Sequence, residues 1–340
     1  MLYLVTNEPQ QVWQDHYLMT YKSELKARNV PYDVVTASDI ESVKLKDTDL
    51  VWIMSYKDIR EVSSYCRRFG AKTLFRLSGT AMHPWSYQVD VDDEVEDFKD
   101  IDYMLVPTKT TAEAVKPITV NNVLVTGYPM RLYDADGIEL KPLLQRKNRI
   151  VIGGRLSPDK QPMLAMHLLT KQLKRGVVDE VVFCYPSEKE MKWLEAYGGA
   201  KRWERLGFQF KQMTHKEWVA FAADSRFYFT ASLGDTVCYS LFEAMSLGCL
   251  PIVPDTREAT LLPVMHEVAS SKLFTYPAFS ERGVSDTLAY LQRSVESDTF
   301  RNSSPLLKRI LNPKGYLNKA ITSPDHFFDV VSTIPNFGGN

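Results

Sequence analysis

The sequence predicts an α/β protein built from two Rossmann-like domains, and three features predict it. Short continuous apolar runs recur along the chain, amphipathic stretches separate them, and the pattern starts afresh after a turn-rich break in mid-chain. Continuous apolar strands alternating with helices describe parallel strands covered on both faces. A chain of 340 residues has room for two such domains at roughly 100–200 residues each. A closed α/β barrel is the other way to arrange this alternation, and the break and the number of strands disfavour it.

In the first half, strands are expected at 2–6, 32–36, 50–54, 73–77, 103–107 and 123–127. Between the first two, Trp13, Tyr17, Tyr21 and Leu25 fall four apart, which is helical spacing over 12–29. The second half repeats the grammar at 150–153, 181–185, 208–211, 227–230, 250–253 and 272–276. Pro129, Asp136-Gly137 and a polar Lys/Gln/Arg run mark the break as a connector. The expected organisation is a first domain over 1–128, a linker over 129–148, a second domain over 149–320 and a closing segment over 321–340. In that last segment Phe327, Phe328 and Val331 suit packing back on the first domain.

With 44% apolar and 24% charged residues, the composition fits a soluble globular protein and excludes disorder. Lys+Arg 41 against Asp+Glu 42 leaves a net charge of −1, which removes the strongest reason to expect non-specific binding to nucleic acid or anionic membrane. No run approaches the ~18 apolar residues of a transmembrane helix. The N-terminus lacks the basic stretch of an export signal and reads as a first buried strand. Cys66, Cys184, Cys238 and Cys249 form no C-x-x-C, and no histidine spacing suits a metal. No metal is expected, and free thiols imply a reducing, cytoplasmic setting. Asp90-Val91-Asp92 contains a D-x-D, but it opens a charge-rich stretch and reads as a solvated acidic segment. Asp134-Ala135-Asp136-Gly137 lacks the terminal glutamate of a calcium loop and reads as a linker turn.

The most informative stretch is Gly153-Gly154-Arg155-Leu156-Ser157-Pro158-Asp159-Lys160. A buried strand runs out into two glycines, and helix-start signals follow, with Ser157 as N-cap, Pro158 in the first helical position and Asp159 in the first turn. Gly176 closes that helix. Unpaired N–H groups and the helix dipole make such a junction an anion site, to which Arg155 and Lys160 add positive charge. Neither G-x-G-x-x-G nor a Walker A lysine is present, so a dinucleotide or P-loop site is disfavoured. A second strand–loop–helix–strand unit runs from Phe227 to Asp255, with Asp235 before its helix, Glu243 about two turns inside it and Gly248 at its end.

Together, G-G-R-L-S-P-D-K and the later Asp235 … Glu243-Ala244-Met245 … Gly248 … Pro251-Ile252-Val253 resemble the nucleotide-sugar glycosyltransferases of the GT-B fold, specifically the retaining family four. The resemblance implies two Rossmann-like domains facing across a cleft and a hexosyl- or pentosyltransferase with no cofactor beyond its nucleotide-sugar donor. It implies that Arg155 and Lys160 bind the donor diphosphate, with Gly154 and the backbone at Thr236 and Val237 beside them. Asp235 would contact the transferred sugar and Glu243 the ribose. Met213, Thr214 and Tyr185 follow strands where relatives hold the nucleobase, whereas the side chain of neighbouring His215 reads as a solvated helix start. On the acceptor side, His83 is the candidate beside the reacting sugar, with Ser78 and Thr80 as hydroxyl donors and Asn7 at the exit of the first strand.

The sequence departs from that family at two places. Asp235 is one methylene shorter than the usual glutamate, and Thr236-Val237-Cys238 replaces Gly-Phe-Gly, so the backbone approaches phosphate less freely. A different or smaller sugar, or a protein that binds nucleotide sugars without transfer, would each account for them. The acceptor is left open between a small molecule, a glycan and a hydroxymethylated base in DNA. Arg67, Arg68, Lys72 and Arg76 are read as a basic cluster on the cleft side that would serve DNA.

Overall fold

The computed structural model describes residues 1–6, 12–54, 58–77, 91–106, 109–116, 122–127, 138–156, 160–185, 188, 191–196, 198–232, 239–255, 274–297 and 324–337. Backbone contacts divide the chain into two compact units, Met1–Arg131 with Ile321–Asn340, and Leu132–Ala320. Among the described residues, no helix is long and apolar enough to cross a membrane.

The first unit holds strands β1 (Leu2–Thr6), β2 (Tyr32–Thr36), β3 (Leu50–Ile53), β4 (Lys72–Arg76), β5 (Tyr103–Val106) and β6 (Asn122–Val125). Its helices are α1 (Val12–Ala27), α2 (Ile59–Phe69), α3 (Val91–Phe98) and α4 (Lys109–Val115). The strands form one parallel sheet in the order β2-β1-β3-β4-β5-β6. Leu50, Val51, Trp52 and Ile53 are all 0% exposed, as a central parallel strand covered on both faces requires.

The second unit holds β7 (Lys147–Gly153), β8 (Glu180–Tyr185), β9 (Phe208–Gln212), β10 (Ser225–Phe229), β11 (Leu250–Asp255) and β12 (Thr275–Pro277). Its helices are α5 (Pro162–Lys174), α6 (Met191–Ala196), α7 (Ala200–Glu204), α8 (His215–Ala223), α9 (Tyr239–Ser246) and α10 (Glu281–Glu296). The sheet is again parallel, in the order β12-β11-β10-β7-β8-β9. Helix α5 starts later than the sequence signals predict. Gln161, in the left-handed region at φ 52°, stands as the N-cap before Pro162 in the first helical position, so the helix begins there. Ser157, Pro158 and Asp159 lie outside the described residues.

A last helix, α11 (Pro324–Val331), packs on the first unit. Phe327 stacks on Trp52 at 5.9 Å between ring centroids and on Tyr21 at 5.7 Å, and the Arg28 guanidinium lies over the Phe328 ring. Tyr21 is fully buried, its phenol pushed up by desolvation, and it accepts a hydrogen bond from Arg76 at 2.8 Å.

The four basic residues of the expected DNA-facing cluster do not form one patch. Arg67 and Arg68 stand in the last turn of α2 and Lys72 opens β4, at the amino edge of the sheet, whereas Arg76 stands at the carboxyl end of β4. Arg67 pairs with Asp100 and Lys72 with Asp102 at 2.8 Å, so acidic residues between α3 and β5 offset this charge within the fold. The D-x-D stretch runs into α3, where Asp97 pairs with Arg60, and not onto the end of an apolar strand.

Replacing Phe327 by Ala should remove the ring that bridges Trp52 and Tyr21 and destabilise the first unit by about 3–5 kcal/mol. Denaturant unfolding measures this, and a change below about 0.5 kcal/mol would show that α11 contributes nothing to that core.

Candidate functional site

In the second sheet, the chain steps from β7 outward through β8 and β9, then returns to β10 on the other side of β7 and steps away through β11 and β12. The loops after β7 and β10 therefore leave in opposite directions, and the carboxyl ends of strands at such a reversal are where ligands of open α/β sheets bind. The glycine motif follows β7, and the stretch leading to α9 follows β10.

The end of β7 requires glycine. A Cβ on Gly153 would lie 2.7 Å from the Trp218 ring and 2.9 Å from Ser240 Cβ, and Gly154 has φ 113°, which side chains rarely adopt. Ser240 Oγ donates to the Gly153 carbonyl at 2.8 Å and accepts from the Tyr228 hydroxyl at 2.7 Å, tying the first turn of α9 to β7 and β10. The N–H of Gly154 donates to the Cys184 carbonyl at 3.1 Å. Leu156 is buried and anchors the loop while Arg155 is exposed, and Lys160 stands half-buried just before α5.

Helix α8 opens on a capping box. Thr214 Oγ1 accepts from the Glu217 N–H, and the Glu217 carboxylate accepts from the Thr214 N–H at 2.8 Å, which holds that carboxyl below its usual range. His215 and Trp218 lie three apart and share a face of the helix. Both reach Glu243 on α9: Trp218 Nε1 donates to Oε2 at 2.7 Å, and His215 Nε2 contacts Oε1 at 2.9 Å. The His215 and Glu243 side chains are 16% and 15% exposed. The Met213 N–H donates to the Tyr185 carbonyl at 3.1 Å, and Tyr185 is half-buried, its phenol pushed up mainly by desolvation.

The structure thus brings Gly154, Arg155, Tyr185, Met213 and Thr214 to the carboxyl edge of the second sheet, with Glu243 anchored from α8. His215 corrects the sequence reading: its ring is not a solvated helix start but a partner of Glu243. Trp218 carries no sequence signal beyond the H-x-x-W spacing that follows a Thr-x-x-Glu capping box. Asp235, Thr236, Val237, His83, Ser78, Thr80 and Asn7 lie outside the described residues. Asn7 directly follows β1, and Ser78, Thr80 and His83 come shortly after β4, so in sequence these four follow carboxyl ends of the first sheet. Among the described residues, no group of three or more His, Cys, Asp or Glu side chains converges as a metal site would require.

Two outcomes test this geometry. Gly153→Ala should overpack the junction of β7, α8 and α9 and destabilise the protein by about 1–3 kcal/mol; an unchanged unfolding midpoint would contradict the close approach. Because the folded-state pKa of Glu217 is lowered, its contribution is present at neutral pH and is lost as the pH falls through that lowered value. Wild type and Glu217→Ala should therefore differ in stability near neutral pH and converge in acid, as followed by unfolding at a series of pH values.

No family model matches the sequence, and no curated protein matches it. Solved structures do share its fold. Sucrose-phosphate synthase (tll1590) from Thermosynechococcus elongatus superposes with a TM-score of 0.71 at 12% identity, covering 98% of this chain and 97% of that one. Anabaena Alr3699/HepE, in complex with UDP and glucose, superposes with a TM-score of 0.65 at 12% identity, covering 98% of each chain. The pneumococcal O-GlcNAc transferase GtfA, in complex with UDP and GlcNAc, has a TM-score of 0.53 at 13% identity, with 87% of this chain covered. This chain spans only 58% of the length of GtfA and 56% of that of TarM, another structural neighbour. At these identities the likeness is one of architecture: the chain has the α/β fold of the GT-B glycosyltransferases.

Proposed function

We propose that the protein is a glycosyltransferase that takes a hexosyl or pentosyl unit from a nucleoside-diphosphate sugar and passes it to a hydroxyl acceptor with retention. The observation that carries this reading is that Trp218, whose ring lies against Gly153 where the Gly154-Arg155 loop leaves the second sheet, also holds the Glu243 carboxylate together with His215. Arg155 and Lys160 are assigned the diphosphate, together with Gly154 and the backbone of Thr236 and Val237. Glu243 takes the ribose, Asp235 the transferred sugar, and Met213, Thr214 and Tyr185 the nucleobase side. On the first unit, His83 is assigned to the reacting sugar, and Ser78, Thr80 and Asn7 to the acceptor.

As the bond from the sugar to the phosphate breaks, negative charge builds on the leaving oxygen, and its interactions with Arg155 and Lys160 strengthen. The acceptor hydroxyl attacks from the face the diphosphate leaves, and its proton passes to the departing phosphate. This scheme needs no cofactor and no metal. The HepE structure holds UDP and glucose, so UDP-sugars are the first donors to test. A small-molecule or glycan acceptor is favoured over DNA because Arg67, Lys72 and Arg76 are engaged within the first unit. The buried free thiols of Cys66, Cys184 and Cys249 suit a reducing, cytoplasmic setting.

The test is thermal shift of wild type and Arg155→Ala against UDP, ADP, GDP and their sugars. A nucleotide at a hundred times its dissociation constant should stabilise the protein by about 2.7 kcal/mol, an effect the variant loses. Turnover in Arg155→Ala should fall by orders of magnitude with the fold intact. Donor binding with no transfer of its sugar to any acceptor, and no release of nucleoside diphosphate, would favour a nucleotide-sugar-binding protein without transfer. No stabilisation by any nucleotide would overturn the reading.

A further inference from the structure

Glu243 does not stand alone on its helix: α8 grips both of its oxygens. An ionised carboxylate only accepts hydrogen bonds, so His215 Nε2 carries a hydrogen toward Oε1 just as Trp218 Nε1 does toward Oε2. Neither donor is loose. The capping box sets the start of α8, and the Trp218 ring is wedged between Gly153 and the Tyr228 ring, which meets it edge to face at 6.3 Å between centroids. On the other side, Ser240 fastens the first turn of α9 to the Gly153 carbonyl. The plane of the carboxylate is therefore set before any ligand arrives, and a ligand does not have to order it.

Each carboxylate oxygen accepts two hydrogen bonds. With one ring N–H on each oxygen, the second direction on each is the one a ligand hydroxyl would take. One remaining acceptor position on each oxygen of a fixed carboxylate suits the two hydroxyls of a vicinal diol. We propose that His215 and Trp218 are positioning residues which, through Glu243, make the site discriminate ribonucleotides from 2′-deoxyribonucleotides. This rests on the donor-site reading above and adds to it the two residues that set the selectivity.

The test is calorimetric titration with the tightest binder among UDP, ADP and GDP and with its 2′-deoxy counterpart. Wild type should prefer the ribonucleotide by roughly ten- to a hundredfold, the effect of one hydrogen bond to a charged group. Trp218→Phe keeps an aromatic ring at this position and removes the N–H, and His215→Leu removes the other donor. Each should bring the preference below about threefold, mainly by weakening the ribonucleotide. His215→Gln, whose side-chain amide reaches the place of Nε2, should restore it. Equal weakening of both nucleotides at an unchanged ratio would make the grip a matter of stability alone and overturn the proposal. A wild-type ratio near one would overturn it too, because Glu243 would then read no diol. A wild type that binds none of the three overturns the donor reading itself, whereas a ratio near one removes only the ribose assignment of Glu243 and leaves the diphosphate site standing. Should His215→Leu fail to fold, the ratio in Trp218→Phe decides.

Discussion

The missing side chain of Gly153 is the constraint on which the candidate site depends. Because no Cβ stands there, the Trp218 ring and Ser240 both close on the end of β7. That approach brings α8 and α9 together, and only then can two ring nitrogens on one helix reach a carboxylate on the other. Any side chain at 153 would push the helices off the strand, and the geometry of Glu243 would go with them. Backbone economy at one residue thus becomes electrostatic order two elements away.

A buried charge steadies the opposite edge of the same sheet. Arg149, 2% exposed in β7, pairs with Glu180 of β8 at 2.7 Å, donates to Ser225 of β10 at 3.3 Å and stacks on Phe221 of α8. A buried guanidinium adds little net stability, but mispairing it is severe, so it penalises slipped alignments of the three strands it touches. The sheet is fixed at one edge by charge and at the other by close packing, and the loops between β7 and β10 open from the latter. In the first unit, too, the described charge pairs of Arg67 and Lys72 gather at the amino edge.

The strands were legible because parallel strands buried on both faces leave continuous apolar runs. The expected spans 2–6, 32–36 and 181–185 meet β1, β2 and β8 to within a residue. Polar residues at strand starts were harder: β7 begins at Lys147, because Arg149 is buried by pairing rather than by hydrophobicity. Helix α5 starts at Pro162 rather than near Ser157, because the left-handed turn at Gln161 leaves no apolar or capping signature. At the site, glycines and charges near strand ends marked the loop, but the partners of Glu243 did not stand out. Trp218 looks like a core residue and His215 like a surface one, and their common task appears only when α8 is laid beside α9.

A crystal structure of the protein with UDP tests the account most directly. The diphosphate is expected at Gly154, Arg155 and Lys160, and both ribose hydroxyls on Glu243, with the bonds from His215 and Trp218 kept. A nucleotide bound away from the carboxyl ends of β7 and β10, or a Glu243 carboxylate turned off its two ring partners to meet it, would contradict the account.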